Sequence, residues 1–396
     1  MRTNRSPSLR NEALIVEALR TPMGRAHAER GWFRDVHPNT MLGAVYTALI
    51  DASGLTPDAV EDLVIGCTAP FGEQSRNIGR NAWLQAGYPA TVPATVLDRR
   101  CGSSQTAVEM AAALVASGTH EVVIAGGVEH MHHVPINSPA KISELYGDPW
   151  PTELRARYEF VGQGESAELI GDRWQISRGR MDEFALRSHL RAAAAAEAGR
   201  FDREMVPMEL DGEIRCVDQG IRRDSSMESL AGLRPAFREA GRVTAGNSSP
   251  LSDGAAGVLV ASRTGVDKYG LRPRARILDQ TTVGVDPIIM LTGPIPATRK
   301  LLERNGMSIA DVDLIEISEA FSSVVLAWEQ EIKPDMERVN VNGGAIALGH
   351  PVGASGSRLF ATLLAEMERR DVEIGLVTMC CGGGLGTATL VQRLEK

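Results

Sequence analysis

The sequence predicts an α/β fold made of two copies of one unit, with a loop-rich segment inserted between them. Helical patterns alternate with short, almost wholly apolar strands, which is typical of strands buried on both faces of a largely parallel sheet. The pattern of the first part of the chain recurs 252 residues later. The stretch from about 134 to 250 interrupts the pattern with prolines and polar loops.

The repeat is clearest where a helix gives way to a strand. In the first copy, helical periodicity ends at Gly54, a Thr-Pro-Asp turn follows, and residues 63–65 read as an apolar strand. In the second copy, helical leucines end at Gly306, Ser308 caps a turn, and residues 314–317 read as the strand. A repeat of this length indicates two copies of a whole domain rather than a solenoid of short units.

The same offset continues to the end of the chain. It relates strand 122–125 to strand 374–377, and the helix after Cys101 to the helix after Gly353. We therefore expect three domains: an N-terminal half at 1–133 plus 251–273, an inserted loop domain at 134–250, and a C-terminal half at 274–396. The clearest helix of the insertion is an Ala-rich stretch from Arg191 to Ala198, stopped by Gly199.

Composition limits the function classes. The chain has 396 residues, 43% of them hydrophobic, and a formal net charge of −8, which argues against a general nucleic-acid surface but leaves a local basic patch open. No apolar run is long enough to cross a bilayer, so a membrane protein is not expected. Residues 1–10 read as a disordered leader, and the five scattered cysteines as free thiols of a cytoplasmic protein.

Cys101 is the first candidate for chemistry. A strand over 94–97 ends, a turn of small residues follows, and a long helix begins near Ser103. A cysteine at a helix N-terminus is next to unpaired N–H groups and the positive end of the helix dipole, which favour the thiolate and lower its pKa. The alternative is a small buried hydrophobic residue, which is what most free cysteines are.

His350 is the second candidate. It stands between Gly349 and Pro351 in a glycine-rich stretch, so we expect a tight turn that precedes a helix near Ser355. Closely spaced glycines let the backbone approach a ligand, and a histidine there can act as an acid or a base. A structural histidine in a glycine-rich turn is the alternative.

Cys380 is the third candidate. It directly follows the strand 375–378 and opens the sequence Cys-Cys-Gly-Gly-Gly, which puts a thiol at the edge of the sheet beside free N–H groups. That arrangement suits a proton donor and an oxyanion hole. If the strand continues, Cys381 points the other way, and only one of the two faces the site. A buried structural thiol is again the alternative.

These three segments, in this order along a duplicated α/β unit, resemble those of the thiolase family. The resemblance extends over nearly the whole chain. The resemblance includes the Arg20-Thr21-Pro22 turn, the Cys101 segment, the Gly-Gly-Val-Glu strand end at 126–129, the segment 244–256 (TAGNSSPLSDGAA), Ser-Glu-Ala-Phe at 318–321, the Gly-His-Pro motif at His350 and the Cys380-x-Gly-Gly-Gly ending. It implies two βαβαβαββ halves that form a layered αβαβα core with an inserted loop domain.

The resemblance also implies roles. Cys101 is the nucleophile that becomes acylated, His350 takes its proton, and Cys380 protonates the leaving acetyl-CoA enolate. The N–H groups of Cys101 and Gly382 form the oxyanion hole. The substrates are a 3-ketoacyl-CoA and coenzyme A, with CoA as co-substrate rather than bound cofactor, no metal, and a homodimer or homotetramer as the assembly.

Ser318 departs from the family pattern, which has Asn at this position to hold a water over the thioester. A serine hydroxyl can hold a water too, with one donor and a shorter reach.

The resemblance further implies that Ser249 meets the pantetheine of CoA, Phe237 the adenine, and Arg222 or Arg223 the phosphates, while Met290 lines the acyl pocket. Solvated surface is the alternative for both arginines. A histidine of the family's pantetheine loop is replaced by Gly162, and Gly162 and Gly164 flank Gln163 where small residues leave room for a bulky acyl group.

The histidines at 130, 132 and 133 raise the question of a metal site. No Cys or carboxylate stands at ligand spacing in the sequence, so we interpret them as a polar loop.

Four functions remain to be compared. Several segments resemble degradative bacterial thiolases that shorten bulky acyl-CoAs, including steroid side chains, and a biosynthetic acetoacetyl-CoA thiolase is the alternative. A decarboxylating ketosynthase would need two histidines, or His and Asn, in place of the second cysteine. A non-catalytic CoA or lipid carrier would not need all three reactive residues.

Overall fold

The computed structural model describes residues 12–394, so the predicted leader at 1–10 lies outside the described residues. The strands are β1 (Leu14–Arg20), β2 (Gly24–Arg25), β3 (Asp62–Gly66), β4 (Ala94–Leu97), β5 (Val122–His130), β6 (Met208–Leu210), β7 (Glu213–Arg215), β8 (Ser252–Ala261), β9 (Ala275–Gly284), β10 (Leu314–Ile317), β11 (Ile374–Cys381) and β12 (Leu385–Arg393). The helices are α1 (Pro38–Ser53), α2 (Ile78–Gln85), α3 (Ser103–Ser117), α4 (Ser138–Tyr146), α5 (Thr152–Arg155), α6 (Gln163–Arg173), α7 (Arg178–Glu197), α8 (Met227–Ala231), α9 (Arg263–Tyr269), α10 (Pro294–Asn305), α11 (Ser322–Ile332), α12 (Ala345–Leu348) and α13 (Ser355–Arg370).

Ten of the described strands form one mixed sheet in the order β10-β11-β12-β9-β1-β8-β5-β3-β4, with β2 paired to β8, and β6 and β7 form a separate two-stranded sheet. The pairs β3–β4, β3–β5 and β10–β11 are parallel, and the strands between them pair antiparallel. The expectation of a largely parallel sheet therefore holds only toward the two ends. Each half contributes one side of the sheet, and the two sides meet where Leu14 and Ile15 of β1 pair with β9.

Helices cover both faces of the sheet in each half of the fold. Alternate residues of a strand face opposite apolar clusters: Leu63 and Ile65 pack toward α1 and α2, whereas Val64 packs toward α3 and α13. Helices α3 and α13 contact each other and strands of both halves, and α10 and α11 cover the second half. This is the expected αβαβα layering, with the N-termini of the two central helices side by side.

The duplication is visible in the helix caps. Helices α1 and α10 end in left-handed glycines, Gly54 and Gly306. Each is followed by a short 3₁₀ turn, and the second of these turns is closed by the predicted Ser308 cap, which bonds reciprocally with Asp311. The strand that follows is β3 in the first copy and β10 in the second.

The second copy differs from the first in one strand. Where the first half has β4, the second has a single parallel bridge between Ile315 and Val339. Asn340, with a left-handed φ of 45°, completes the edge with its side chain: its Oδ1 accepts from the N–H of Ile317 at 2.9 Å, and its Nδ2 donates to the carbonyl of Ile317 at 2.9 Å. A side-chain amide here takes over the hydrogen bonds of a strand residue.

The insertion has more helix than its sequence predicted. Helix α7 spans Arg178–Glu197 and begins at a Ser177 cap, thirteen residues before the predicted Ala-rich stretch. Its first turns carry charged residues on their exposed side. The apolar stripe of Met181, Phe184 and Ala185 was therefore not recognised in the sequence. Within the described residues no helix is long and apolar enough to cross a membrane.

Candidate active site

Cys101 lies where the structure brings the two halves and the insertion together. It follows β4 by a short turn, stands two residues before α3, and is buried. A cavity of about 270 Å³ opens beside it. The residues that line this cavity are Thr68, Ala69, Arg100, Cys101, Ile136, Trp150, Phe160, Val161, Gly162, Gln163, Pro287, Met290, Val352, Gly382 and Gly383.

The ionisation of Cys101 differs from its sequence prediction. Burial raises the pKa of the Cys101 thiol to about 11, although the N–H groups of Gly382 and of Cys101 itself and the charge of Arg100 oppose this shift. The sequence predicted a lowered pKa from the helix N-terminus alone. That prediction was wrong, because removing a thiolate from water outweighs the dipole and the N–H groups together. The free protein therefore holds Cys101 as a thiol at neutral pH.

Gly382 stands directly against the nucleophile. It follows β11 at the start of the tight connection to β12, and its N–H group is close enough to the Cys101 thiol to lower the pKa of that thiol. A Cβ at this position would lie 3.0 Å from the side-chain nitrogen of Gln163, so the position leaves little room for a side chain. The next residue, Gly383, donates its N–H to the sulfur of Met290 at 3.3 Å. Two loop amides are thus held at the cavity wall.

His350 is oriented by one serine. Its Nδ1 lies 2.7 Å from Oγ of Ser355, and that hydroxyl donates its own proton to the carbonyl of Pro351 at 2.8 Å. The serine oxygen therefore accepts from Nδ1–H, which leaves Nε2 with a free lone pair. Nε2 has no hydrogen-bond partner among the described residues. The backbone N–H of His350 is fixed by Ser252 Oγ at 3.0 Å.

The environment keeps this imidazole neutral. Burial, together with the nearby charge of Arg358, lowers the pKa of His350 to about 4. An unprotonated histidine with a free Nε2 can accept a proton, which is the role that the sequence assigned to it. The turn at Gly349 is as expected, with a φ of 124° that a side chain would strain.

The two adjacent cysteines face different surroundings. Strand β11 runs on through both residues, so Cys380 lies within the sheet rather than just beyond it. Cys380 packs with the apolar cluster of Met290 and Phe321, whereas Cys381 packs with Cys101 and would be 2.4 Å from a Cβ placed on Gly102. Burial raises the pKa of both thiols. Cys101 contributes to each shift, so both thiols are near the nucleophile.

Ser318 directly follows β10, beside β11. Its N–H donates to the carbonyl of Thr378 at 3.1 Å, two residues before Cys380. The side chain is fully buried, and its hydroxyl has no partner among the described residues. A buried hydroxyl in that state is free to bind a substrate oxygen or a water.

The neighbouring Glu319 organises the approach to His350. Its carboxylate accepts from Ser188 Oγ at 2.7 Å, from Asn340 Nδ2 at 2.8 Å and from the N–H of Ile346 at 3.2 Å. It thereby joins α7 of the insertion to the loop that leads to the histidine.

Glu129 makes a second buried junction, which the sequence indicated only as part of a motif. Its carboxylate accepts from the N–H of Thr68 at 2.9 Å, the hydroxyl of Thr68 at 2.7 Å, the N–H of Ala69 at 3.2 Å, Nε2 of Gln74 at 2.9 Å and the N–H of Gly353 at 3.0 Å. Thr68 and Ala69 belong to the cavity wall, and Gly353 belongs to the His350 loop. Burial raises the pKa of Glu129, and these donors oppose the rise.

The residues predicted to bind CoA lie apart from the cavity. None of Ser249, Phe237, Arg222 and Arg223 is among the described residues that line it. Ser249 is held beside the Ser-Glu-Ala-Phe segment, because its N–H donates to the carbonyl of Ala320 at 3.0 Å.

Phe237 is half exposed and meets Phe321 edge to face at 6.1 Å. Its ring fills the space beside Gly164, because a Cβ on Gly164 would lie 2.2 Å from the ring. We expected both glycines to leave room for a bulky acyl group, and only Gly162 does so. Arg223 pairs with Glu197 at 2.5 Å, and Arg222 is exposed. Met290, for which we predicted a place in the acyl pocket, lies in the wall of the cavity beside Cys101.

Two of the three histidines at and after the end of β5 bind the protein itself through their rings, and the backbone N–H of the third, His132, donates to Asp253 at 3.0 Å. His130 Nε2 donates to the carbonyl of Phe33, and both ring nitrogens of His133 face oxygens, those of Glu73 and Arg34. Over residues 12–394, no group of three or more His, Cys, Asp or Glu is arranged to hold a metal.

Comparison with known proteins supports this geometry. Residues 13–264 match the family model described as thiolase, N-terminal domain, and residues 271–393 match thiolase, C-terminal domain. The chain belongs to the thiolase family. It is therefore an acyltransferase, and the family predicted from its motifs is confirmed.

Two relatives of this thiolase illustrate the similarity. The steroid 3-ketoacyl-CoA thiolase FadA6 of Mycobacterium tuberculosis is 44% identical over 97% of this chain and 94% of its own. A 3-ketoacyl-CoA thiolase of Photobacterium profundum is also 44% identical, over 97% and 100%. The crystal structure of the Bacillus anthracis acetyl-CoA acetyltransferase superposes with a TM-score of 0.89 at 36% identity, over 97% of this chain and 99% of that one. The predicted thiolase fold is thus confirmed.

Proposed function

We propose that this thiolase works in the degradative direction: it cleaves 3-ketoacyl-CoA, transfers the shortened acyl group to CoA through Cys101, and releases acetyl-CoA. One observation carries the proposal. A buried cysteine at the N-terminus of α3, with the Gly382 N–H against its sulfur, faces a largely apolar cavity. The names of the two relatives, steroid 3-ketoacyl-CoA thiolase and 3-ketoacyl-CoA thiolase, support the direction.

In the first half-reaction, the Cys101 sulfur attacks the C3 carbonyl of the substrate. Because Cys101 is a thiol at neutral pH, it needs a base, and the free Nε2 of His350 suits that task. The C2–C3 bond then breaks, and its electron pair goes to the enolate of acetyl-CoA. Cys380, whose raised pKa keeps it protonated, supplies a proton to C2.

In the second half-reaction, the Cys380 thiolate takes the proton of the incoming CoA thiol. The CoA sulfur attacks the acyl group on Cys101, and the Cys101–acyl bond breaks. Cys101 leaves as a thiolate and recovers its proton from His350. Cysteine and histidine groups return to their starting states, so the cycle needs no other reactant.

Charge that develops on oxygen needs fixed donors. We propose that the N–H groups of Cys101 and Gly382, which act on the sulfur of Cys101, stabilise the negatively charged oxygen in the acyl-enzyme step. The unpaired Ser318 hydroxyl supports a role, directly or through a water, at the thioester oxygen.

The inserted segment, 134–250, is the proposed binding region for both substrates. Trp150, Phe160 and Gly162 supply the acyl side. Ser249 and Phe237 are proposed for pantetheine and adenine, and Arg222 or Arg223 for the phosphates, with Arg222 favoured because Arg223 is paired. We propose a cytoplasmic homodimer or homotetramer.

The acyl-enzyme tests this function directly. Incubation with a 3-ketoacyl-CoA in the absence of free CoA should release about one equivalent of acetyl-CoA per chain and add the acyl mass to the peptide that contains Cys101. The exposed Cys216 is the internal control and should stay unmodified. Acylation at Cys216, or none at Cys101, would contradict the assignment. A ketosynthase would release CO₂, and a carrier would release no acetyl-CoA.

Substrate length separates degradation from acetoacetyl-CoA synthesis. Each additional buried methylene stabilises binding by about 0.8 kcal/mol, and the cavity offers apolar wall from Ile136, Trp150 and Phe160. We expect a higher kcat/KM for thiolysis of medium-to-long or steroid 3-ketoacyl-CoA than of acetoacetyl-CoA. A clear preference for acetoacetyl-CoA would favour the biosynthetic function and leave the thiolase chemistry intact.

A further inference from the structure

We propose that the preferred acyl group of this thiolase carries a carboxylate at its far end, and that Arg100 binds this carboxylate. The inference rests on the proposed function and narrows its substrate class. It comes from the charge and the accessibility of the residues that form the cavity beside Cys101.

The cavity wall is largely apolar, and it carries a single formal charge. Two of its residues, Thr68 and Gln163, are polar but uncharged. Eight have apolar side chains: Ala69, Ile136, Trp150, Phe160, Val161, Pro287, Met290 and Val352. Among the described residues that line it, Arg100 is the only one with a formal charge at neutral pH, and there is no Asp or Glu. The wall thus presents one unmatched positive charge to whatever fills the cavity.

The guanidinium of Arg100 is weakly engaged by the protein. Its side chain is 52% exposed, and its only ion pair among the described residues is with Asp98 at 3.6 Å, beyond hydrogen-bond distance. A pair that is half exposed and this long stabilises the protein very little. The adjacent Arg99, by contrast, donates to Thr106 at 3.1 Å and Thr282 at 2.8 Å. Arg100 is therefore available to a ligand.

The backbone brings Arg100 to the cavity at a cost. Its φ is 51°, a left-handed conformation that costs a residue with a side chain about 1 kcal/mol or more, and which glycine or asparagine would adopt more readily. The stem of Arg100 passes beside Gly382, with Cγ 3.7 Å from the place of a Cβ there. An arginine held in this way next to the nucleophile indicates a use for its side chain.

An uncharged acyl tail gains from the apolar wall but leaves the guanidinium of Arg100 without a partner. A tail that fills the cavity covers the guanidinium and removes part of its water, and a charge without a partner is costly to desolvate. A terminal carboxylate compensates for that loss with a charge-assisted, bidentate pair. The same arginine that disfavours a methyl end therefore favours an anionic end, which is a basis for specificity.

A matched pair of substrates tests the proposal. 3-Ketoadipyl-CoA ends in a carboxylate, and 3-ketohexanoyl-CoA has a methyl end on the same chain. For the unaltered enzyme we expect kcat/KM for thiolysis to be at least about tenfold higher for 3-ketoadipyl-CoA than for 3-ketohexanoyl-CoA, because one desolvated charged hydrogen bond has an effect of this size. Arg100→Met should remove most of this preference, mainly through KM, and Arg100→Lys should retain part of it.

The ratio of the two substrates is the decisive quantity, because the charge of Arg100 also lowers the pKa of Cys101 and so affects both substrates alike. Arg180→Met is the control: Arg180 is similarly exposed, pairs with Glu329 and is not among the residues of the cavity wall. It should leave the ratio unchanged.

Three results would overturn the inference. Equal thiolysis of both substrates by the unaltered enzyme would show that the charge has no role in specificity, and this comparison needs no variant to fold. A loss of rate by the same factor for both substrates in Arg100→Met would show that Arg100 acts on Cys101 alone. Absence of thiolysis with either substrate, together with absence of acylation at Cys101, would instead remove the proposed function on which the inference rests.

Discussion

At the scale of single residues, the hydrogen bond between His350 and Ser355 fixes which imidazole nitrogen can take a proton. Because the pKa of His350 is lowered to about 4, its neutral form predominates above that pH and is lost as the pH falls through it. We predict that the acid limb of kcat/KM lies about two pH units below the value near 6.5 of an ordinary histidine. A pH profile, with circular dichroism to check folding, measures this; a limb near 6.5 would contradict it.

Cys380 and Cys381 differ by one strand position and should differ in effect. Cys380→Ser should abolish cleavage of 3-ketoacyl-CoA, because a serine hydroxyl is a far weaker acid, while exchange of acetyl groups between acetyl-CoA and labelled CoA stays detectable. Cys381→Ala should keep most activity and lower the free energy of unfolding by about 1 kcal/mol, since its buried sulfur has a packing role beside Gly102 and in the apolar cluster that contains Cys101. The opposite pattern would exchange the two assignments.

Ser318 tests how much the site depends on one hydroxyl. Ser318→Ala should lower kcat by less than the roughly hundredfold that loss of a direct oxyanion donor costs, because only the anchor of a water is lost. Ser318→Asn, which installs the residue usual in the family, should be tolerated or raise kcat. Steady-state kinetics of the two variants are the measurement, and an unaffected alanine variant would remove Ser318 from the site.

At the scale of elements, Glu129 links β5, the loop after β3 and the His350 loop through one carboxylate. Glu129→Gln turns an N–H₂ group toward donors, so we expect a loss of about 1–3 kcal/mol in the free energy of unfolding. We also expect a fall in kcat larger than the change in KM, because Gly353 and the cavity wall lose their common anchor. Glu303→Gln, at an exposed position, is the control for both measurements. Unchanged melting and kcat in Glu129→Gln would contradict this role.

The element boundaries show what local sequence can predict. The ends of α1 and α10, the start of α3 and the turn at His350 were all predicted, because caps and glycines act through the few residues beside them. The antiparallel middle of the sheet was not, since strand order depends on pairing between distant segments. The raised pKa of Cys101 was also missed, because it results from burial by residues far away in the chain.

At the scale of the whole molecule, the site is divided among the parts of the chain. The first half supplies Cys101, the second supplies His350, Cys380 and Ser318, and the insertion supplies Trp150 and Phe160. The two rings stack at 5.0 Å with planes 9° apart, and Arg155 lies over Trp150. The motifs indicated the reactive residues of both halves. The aromatic wall carries no motif and became visible only in the folded chain.

The whole-molecule arrangement predicts an effect of that wall on specificity. Trp150→Ala should lower kcat/KM for a medium-length 3-ketoacyl-CoA by about tenfold, through lost apolar contact, and change that for acetoacetyl-CoA much less. Thiolysis rates of the two substrates decide it. Tyr146→Ala, which alters an exposed aromatic residue of the same segment, should affect neither. Equal losses on both substrates would show that Trp150 only supports the fold.

The Asn340 segment has a consequence for how sheets of separate molecules can join. It occupies the outer side of β10, so that end of the sheet cannot accept another strand, whereas β4 at the other end pairs only with β3 among the described residues. A molecule whose sheet has one open edge and one covered edge can form a dimer through the open edges of two copies. It cannot add further copies to grow into a filament. The loss of one strand from the second copy thus protects a protein with a ten-stranded sheet against end-to-end polymerisation.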